Sequence, residues 1–337
     1  MSFGARNSRT PARRLYGVLA FALAAVCCLT SATPARAILL HSTPTRNTWS
    51  PSGSIYNSGW QYQGYWGSFA GTPITARHFI TAGHVGGAVG QTFHFRGQNY
   101  TARAMYDDPN SDLRIWQVDR NMPYWSPVYR GTAEQGKQVV LYGRGTQRGG
   151  DVYVSGQKKG WYWGANDGKL SWGTNVVSAT QNAGYGIGTL LRTTFDRTGG
   201  RDEGALSGYD SGGGAFIYDG GKWKLAGINF AAGGPYSFSS YGSTFNAALY
   251  DQGGLYVGNN RAYVPDGYND VPAYSFITRI SGNLPWIDSV LRQGGMTATY
   301  SVTASATTAV PEPGTALLIL GACTILCSRR VPCSRKP

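Results

Sequence analysis

The chain has 337 residues, 42% hydrophobic and 14% charged, a balance that suits a folded globular protein and excludes a disordered one. Its 48 glycines, 22 tyrosines and 10 tryptophans favour turns and strands over long helices. The formal charge of +13 suggests a polyanionic partner until its placement is considered: residues 1–37 and 311–337 hold nine basic residues and one acid, leaving 21 basic and 16 acidic residues scattered between them without a basic run, which speaks against nucleic acid.

Arg6 to Arg14 form a basic start, Leu15 to Leu29 an apolar run too short for a comfortable membrane span, and Ala35-Arg36-Ala37 a small-residue cleavage site. This order predicts a secretory signal over residues 1–37, removed by signal peptidase to leave Ile38 as the mature N-terminus. A retained N-terminal anchor is the alternative. Cys27 and Cys28 fall in the signal, and Cys323, Cys327 and Cys333 fall near the other end. The predicted mature domain therefore has no cysteine and depends on its packed core rather than on disulfides.

From Thr48 to about Arg292 the chain consists of short runs rich in Val, Ile, Tyr, Phe and Trp, separated by Gly, Asn, Asp or Pro clusters. Gln91–Arg96, Leu113–Val118, Gln138–Tyr142, Asp151–Val154, Leu190–Phe195, Ala215–Tyr218 and Trp223–Asn229 are examples. Such spacing predicts an all-β sandwich or barrel. One helix is expected, from about Leu284 to Arg292, with Pro285 suited to its first turn and Arg292 to its C-terminal end.

Three residues carry the chemistry. His84 follows the strand Phe79-Ile80-Thr81-Ala82 and a glycine. Asp112 precedes the strand Leu113-Arg114-Ile115-Trp116. Ser211 lies in the glycine-rich turn Gly208-Tyr209-Asp210-Ser211-Gly212-Gly213-Gly214. Each alone has an ordinary structural reading as a post-strand histidine, a turn-forming aspartate or a hairpin connection. Together they supply what acyl transfer by serine needs: a nucleophile, a base for its proton and a carboxylate to orient that base. The glycines around Ser211 allow a turn whose backbone N–H groups face a developing oxyanion. No metal or other cofactor is expected, because His41, His78, His84 and His94 form no ligand constellation.

In these segments the chain resembles the chymotrypsin/trypsin-like serine proteases. Thr81-Ala82-Gly83-His84 resembles the family's Thr-Ala-Ala-His, Asp112-Leu113 its aspartate before a strand, and Asp210-Ser211-Gly212-Gly213 its nucleophile motif, in the family's order. Gly143-Arg144-Gly145-Thr146, Leu225-Ala226-Gly227-Ile228 and Ile277-Thr278-Arg279-Ile280-Ser281 resemble further landmarks. The resemblance implies two six-stranded antiparallel β-barrels with a short C-terminal helix. It makes Ser211 the nucleophile, His84 the general base and acid, and Asp112 the orienting carboxylate.

It also implies an oxyanion hole made by the backbone N–H groups of Ser211 and Tyr209. The family normally has glycine at the latter position, so a distorted turn or a lost donor is the alternative. The family's pairing of the residue before the nucleophile with a new N-terminal amine makes Asp210 a support of the site and Ile38 its partner. Ala205 stands where trypsin carries its specificity aspartate, which implies an apolar or small-residue pocket unless a loop shift brings in Asp202 or Glu203. The stretch between Phe230 and Tyr274 is longer than the family's and is expected to border the cleft or to be a plain surface loop.

The end of the chain has its own pattern. Residues 297–310 are rich in Ser, Thr and Ala, followed by Pro311-Glu312-Pro313, an apolar stretch from Ala316 to Cys327, and Arg329-Arg330. Over 311–337 this resembles the PEP-CTERM sorting signal of Gram-negative bacteria. That resemblance implies transient membrane anchoring, recognition by an exosortase and delivery from the periplasm to the cell surface or extracellular matrix. The expected organisation is a signal (1–37), a protease domain (38–296), a linker (297–310) and a sorting tail (311–337). The expected function is an exported serine endopeptidase acting on proteins or peptides; the alternative is a catalytically weak protease-fold binding protein of surface or matrix.

Overall fold

The structure is a computed structural model, and it describes Met1 and residues 38–293. The expected signal, the linker at 297–310 and the sorting tail lie outside the described residues. A short strand, β1 (Leu39–Leu40), opens the described stretch. β2 (Gly64–Trp66), β3 (Phe69–Thr75), β4 (His78–Ala82), β5 (Thr92–Phe95), β6 (Gln98–Asp107) and β7 (Leu113–Val118) then close into an antiparallel barrel of order β2-β3-β4-β7-β6-β5.

The second half begins with β8 (Gln138–Gly143), β9 (Thr146–Val154), β10 (Gln157–Asn166), β11 (Ser171–Asn182), β12 (Thr189–Thr194) and β13 (Gly204–Ala205). It continues with β14 (Gly214–Asp219), β15 (Lys222–Ala232), β16 (Tyr236–Ser237), β17 (Ala247–Leu249), β18 (Tyr256–Val257), β19 (Ala262–Tyr263) and β20 (Tyr274–Arg279). Six of these close into a second barrel of order β11-β12-β20-β15-β14-β8. The helix α1 (Leu284–Gln293) ends the described chain. The expected class is the observed one: all-β, two six-stranded antiparallel barrels and a short C-terminal helix.

Each barrel closes because alternate residues of its strands fill the interior. Trp66, Phe79, Phe93, Phe95, Tyr100 and Trp116 fill the first, with the Phe79 and Phe93 rings stacked at 3.9 Å. Smaller branched residues fill the second, among them Val139, Leu141, Val177, Leu191, Ile217 and Ile277. A third apolar cluster joins the two, with Ile80, Leu113 and Ile115 from one side and Tyr142, Phe216 and Ile228 from the other. The helix adds Ile287 and Val290 to this cluster, three residues apart and thus on one face. No helix among the described residues is long and apolar enough to cross a membrane.

The long stretch after Phe230 is not a plain surface loop. β17 adds to β10, extending the β9–β10 hairpin to three strands, and β16, β18 and β19 form a small sheet of their own. Tyr236, Leu249 and Leu255 pack with Val152 in a separate core. Beneath it the Lys159 ammonium, 1% exposed, lies 2.5 Å from Asp251 Oδ2 and 2.7 Å from Asp266 Oδ1. Burial opposes charge on Lys159 and Asp251, yet the hydrogen bonds between them hold the lysine above its ordinary pKa and the aspartate below. Asp251 Oδ1 also accepts the Gly253 and Val271 N–H groups, so one carboxylate ties the middle of the insertion to its C-terminal end.

Replacing Lys159 with methionine leaves Asp251 buried beside no cation. The expected loss is about 3 kcal/mol, the cost of breaking a buried pair from one side. Urea unfolding of the protein reads it as a lowered midpoint, and an unchanged midpoint would show that the pair does not hold the insertion.

Candidate active site

The geometry starts from the pairing of β4 with β7. Their antiparallel register sets Ala82 opposite Leu113, so residues just past β4 meet residues just before β7. One 3-10 turn, Gly83–Val85, follows β4 and carries His84, while the Gly83 N–H donates to the Asp112 carbonyl at 2.9 Å. The Asp112 carboxylate meets His84 twice. Oδ1 accepts its backbone N–H at 2.9 Å, and Oδ2 lies 2.6 Å from Nδ1. A carboxylate at Nδ1 assigns the ring proton there and leaves Nε2 as an acceptor.

Ser211 comes from the other barrel, on the turn between β13 and β14. Asn229 of β15 braces that turn: its amide donates to the carbonyls of Tyr142 at 2.7 Å and Asp210 at 3.1 Å. Its backbone carbonyl accepts the Gly212 N–H at 3.0 Å, and its N–H donates to the Gly213 carbonyl at 2.9 Å. At Gly213 a Cβ would stand 1.9 Å from the Tyr142 carbonyl oxygen, so only glycine fits there. Held this way, Ser211 Oγ lies 2.8 Å from His84 Nε2 and 3.4 Å from the Phe230 carbonyl. The Phe230 ring covers His84 edge-on at 5.6 Å.

Tyr209 takes a left-handed backbone conformation, φ 70°. That region costs a non-glycine residue about 1–2 kcal/mol. The Tyr209 ring stacks on Phe69 of β3 with centroids 5.7 Å apart and planes at 29°. Such a contact is worth about 0.5–1.5 kcal/mol, the same order as the strain. The N–H groups of Tyr209 and Ser211 donate to no acceptor among the described residues, so both remain available to an oxyanion.

Asp210 is buried beneath the turn. Its Oδ1 accepts the Gly145 N–H at 2.7 Å, and its Oδ2 accepts the Ser207 N–H at 2.8 Å and hydroxyl at 2.9 Å. The Ile38 backbone N–H also helps to hold charge on this carboxyl. Burial pushes the carboxyl up to about 6, against the lowering effect of those hydrogen bonds. Ile38 is itself buried, with φ 35°, and packs with Leu40 and Leu206.

Ala205 lies in an apolar cluster with Leu39, Trp161 and Phe195. The pairing of β1 with β13 sets Leu39 opposite Ala205 and Leu40 opposite Gly204. The acids next to it are engaged elsewhere: Asp202 Oδ1 accepts from the Asn47 amide at 2.9 Å, and Glu203 Oε1 accepts from the Asn175 amide and the Asp196 N–H, both at 3.2 Å. Burial raises the Glu203 carboxyl to about 8. This register leaves Ala205, and no acid, at the position the sequence marks.

The structure therefore brings His84, Asp112, Ser211, Tyr209 and Asp210 together. It adds supports that the sequence reading did not single out, namely Ser207 beneath Asp210, Asn229 behind the turn and Phe69 beside Tyr209. Their partners lie far away in the chain, apart from the Ser207-to-Asp210 spacing, which was visible in the sequence as a Ser-x-x-Asp step.

No model of a known protein family matches the chain, and no curated protein matches it. Among solved structures the chain is similar to neuropsin, a serine protease expressed in the limbic system of mouse brain. The identity is 12% and the TM-score 0.44, over 70% of this chain and 96% of that one.

Placing alanine at Gly213 forces its Cβ against the Tyr142 carbonyl. The expected outcome is a loss of about 2–3 kcal/mol, the range of overpacking in a rigid site, together with displacement of the Ser211 turn. Thermal unfolding measures the first; an unchanged melting temperature would contradict the close approach.

Proposed function

We propose that the chain is an exported serine endopeptidase. The observation that carries this reading is one continuous hydrogen-bonded line, Asp112 Oδ2 to His84 Nδ1 at 2.6 Å and His84 Nε2 to Ser211 Oγ at 2.8 Å. In the reaction Ser211 Oγ attacks the scissile carbonyl carbon while His84 Nε2 takes its proton. Asp112 stabilises the imidazolium and fixes its orientation. The carbonyl oxygen, now negative, receives the Tyr209 and Ser211 N–H groups. Collapse breaks the C–N bond, and His84 returns the proton to the leaving nitrogen. Water activated by His84 then hydrolyses the acyl-enzyme and restores the hydroxyl. Ala205 at the marked pocket position favours substrates with apolar or small side chains on the acyl side.

The sequence pattern of the two ends supports export: removal of 1–37 by signal peptidase, then anchoring, exosortase processing and surface or matrix delivery through 311–337. Cleavage before Ile38 would turn its N–H, which helps to hold charge on the Asp210 carboxyl, into an ammonium free to pair with it. Signal peptidase would then also be the activating protease. An amine that gains a carboxylate partner has its pKa raised on folding, so its stabilisation is full below the ordinary α-amino value of about 8. That stabilisation is lost as pH rises through the higher folded value. Activity is therefore expected to fall on the alkaline side as the ammonium loses its proton, and Edman sequencing should read Ile38 first. Any other first residue would overturn this route of activation.

A fluorophosphonate probe tests the catalytic reading. The exported protein should be labelled, Ser211→Ala should not, and Asp112→Asn should lower kcat by about 10³–10⁴. A folded wild-type protein that takes no label would remove the endopeptidase reading.

A further inference from the structure

The Tyr209 side chain stands on the rim of the reacting centre, 47% exposed, and has one aromatic neighbour, Phe69. Phe69 begins β3, across a tight turn from Trp66. Arg144 of the second barrel holds that turn. Its Nη1 donates to the carbonyls of Gly67 at 2.7 Å and Phe69 at 3.0 Å, its Nε donates to Gly168 O at 2.7 Å, and the guanidinium lies 4.2 Å from the Tyr65 ring centroid. The ring pair is therefore fixed from both barrels: the strained backbone aims Tyr209 outward, and Arg144 sets the height of Phe69.

Resting on the endopeptidase reading, we infer that Tyr209 and Phe69 form an aromatic shelf that selects peptides carrying an aromatic or large apolar residue on the leaving-group side of the scissile bond. The direction follows from proton transfer. The leaving nitrogen must face His84 Nε2, so the departing chain emerges towards the first barrel, which carries both His84 and Phe69. The acyl part stays on Ser211, whose other flank is Phe230 of the second barrel. An exposed pair of stacked rings offers apolar area and a π-face to a side chain laid across it. Tyrosine at a left-handed turn position is what makes the shelf, since glycine there would leave Phe69 alone.

The test is partition of the acyl-enzyme. A p-nitrophenyl ester of an N-acyl amino acid acylates Ser211, with the Oγ–C bond formed as p-nitrophenolate leaves. An added amino-acid amide then competes with water: its nitrogen bonds to the acyl carbon, the C–Oγ bond breaks, and the amine proton returns to Ser211 through His84. Phenylalanine amide should be preferred over glycine amide by about tenfold, as expected for partial burial of one aromatic side chain. Phe69→Ala should reduce that preference to about twofold, read as the ratio of the two amides on the same variant, so that any change in the rate of acylation cancels. Phe69→Leu, which keeps apolar bulk, should fall between and covers the case in which the alanine variant does not fold. Equal use of the two amides by wild type, or an undiminished preference in folded Phe69→Ala, would overturn the shelf. Absence of ester hydrolysis in folded wild type would instead overturn the endopeptidase reading, and the shelf with it.

Discussion

The buried carboxylate of Asp210 is the constraint on which the site depends. A charge out of contact with water must be met by donors from every side, and here the Gly145 N–H and the Ser207 N–H and hydroxyl supply them. Those donors come from two separate parts of the chain. Satisfying one carboxylate therefore fastens the turn after β8 and the β13–β14 turn to one another. Ser211, the next residue, inherits its position from that arrangement. Its partner His84 is placed independently by the β4–β7 register in the other barrel, and the apolar cluster shared by the barrels brings the two halves into register.

The same constraint explains why a tyrosine can occupy a turn position that favours glycine. With Asp210 anchored on one side and the Asn229 amide bracing the other, Tyr209 has no freedom to relax into a right-handed conformation without breaking buried hydrogen bonds. Its ring lands on Phe69, and the contact is comparable in size to the strain. The departure from glycine thus changes what the rim presents to a ligand and leaves the N–H groups of the turn available.

The insertion after Phe230 shows how a long segment becomes structure when it has a core and a buried charge to organise it. It supplies most of that core itself, with Tyr236, Leu249 and Leu255 packed on Val152 of β9, and pairs through β17 with β10. The Lys159 ammonium adds a requirement that cannot be met in the extended chain, because Asp251 and Asp266 lie about a hundred residues further on: 92 and 107 positions away.

Much of this protein was legible in its residues. Short apolar runs between glycine and polar clusters marked most barrel strands, among them β7, β14 and β15, because buried strands are apolar along most of their length and end at turn-forming residues. The helix was legible from Pro285 at its start and Arg292 near its end, and His84, Asp112 and Ser211 from the short motifs around them. What could not be read was the contact between distant segments that no motif marks: the Asn229 brace, the Phe69 stack and the fold of the insertion, whereas the closed barrels and the link of Ile38 to Asp210 were expectations from the resemblance alone. A local pattern carries the conformation of its own few residues, whereas these contacts depend on register and on where a buried charge finds its donors. By itself, then, the sequence determined the strand identities and the chemistry-bearing residues. Only the tertiary structure decided that those residues meet at hydrogen-bonding distance, and that Tyr209 would take the conformation of the glycine it replaces.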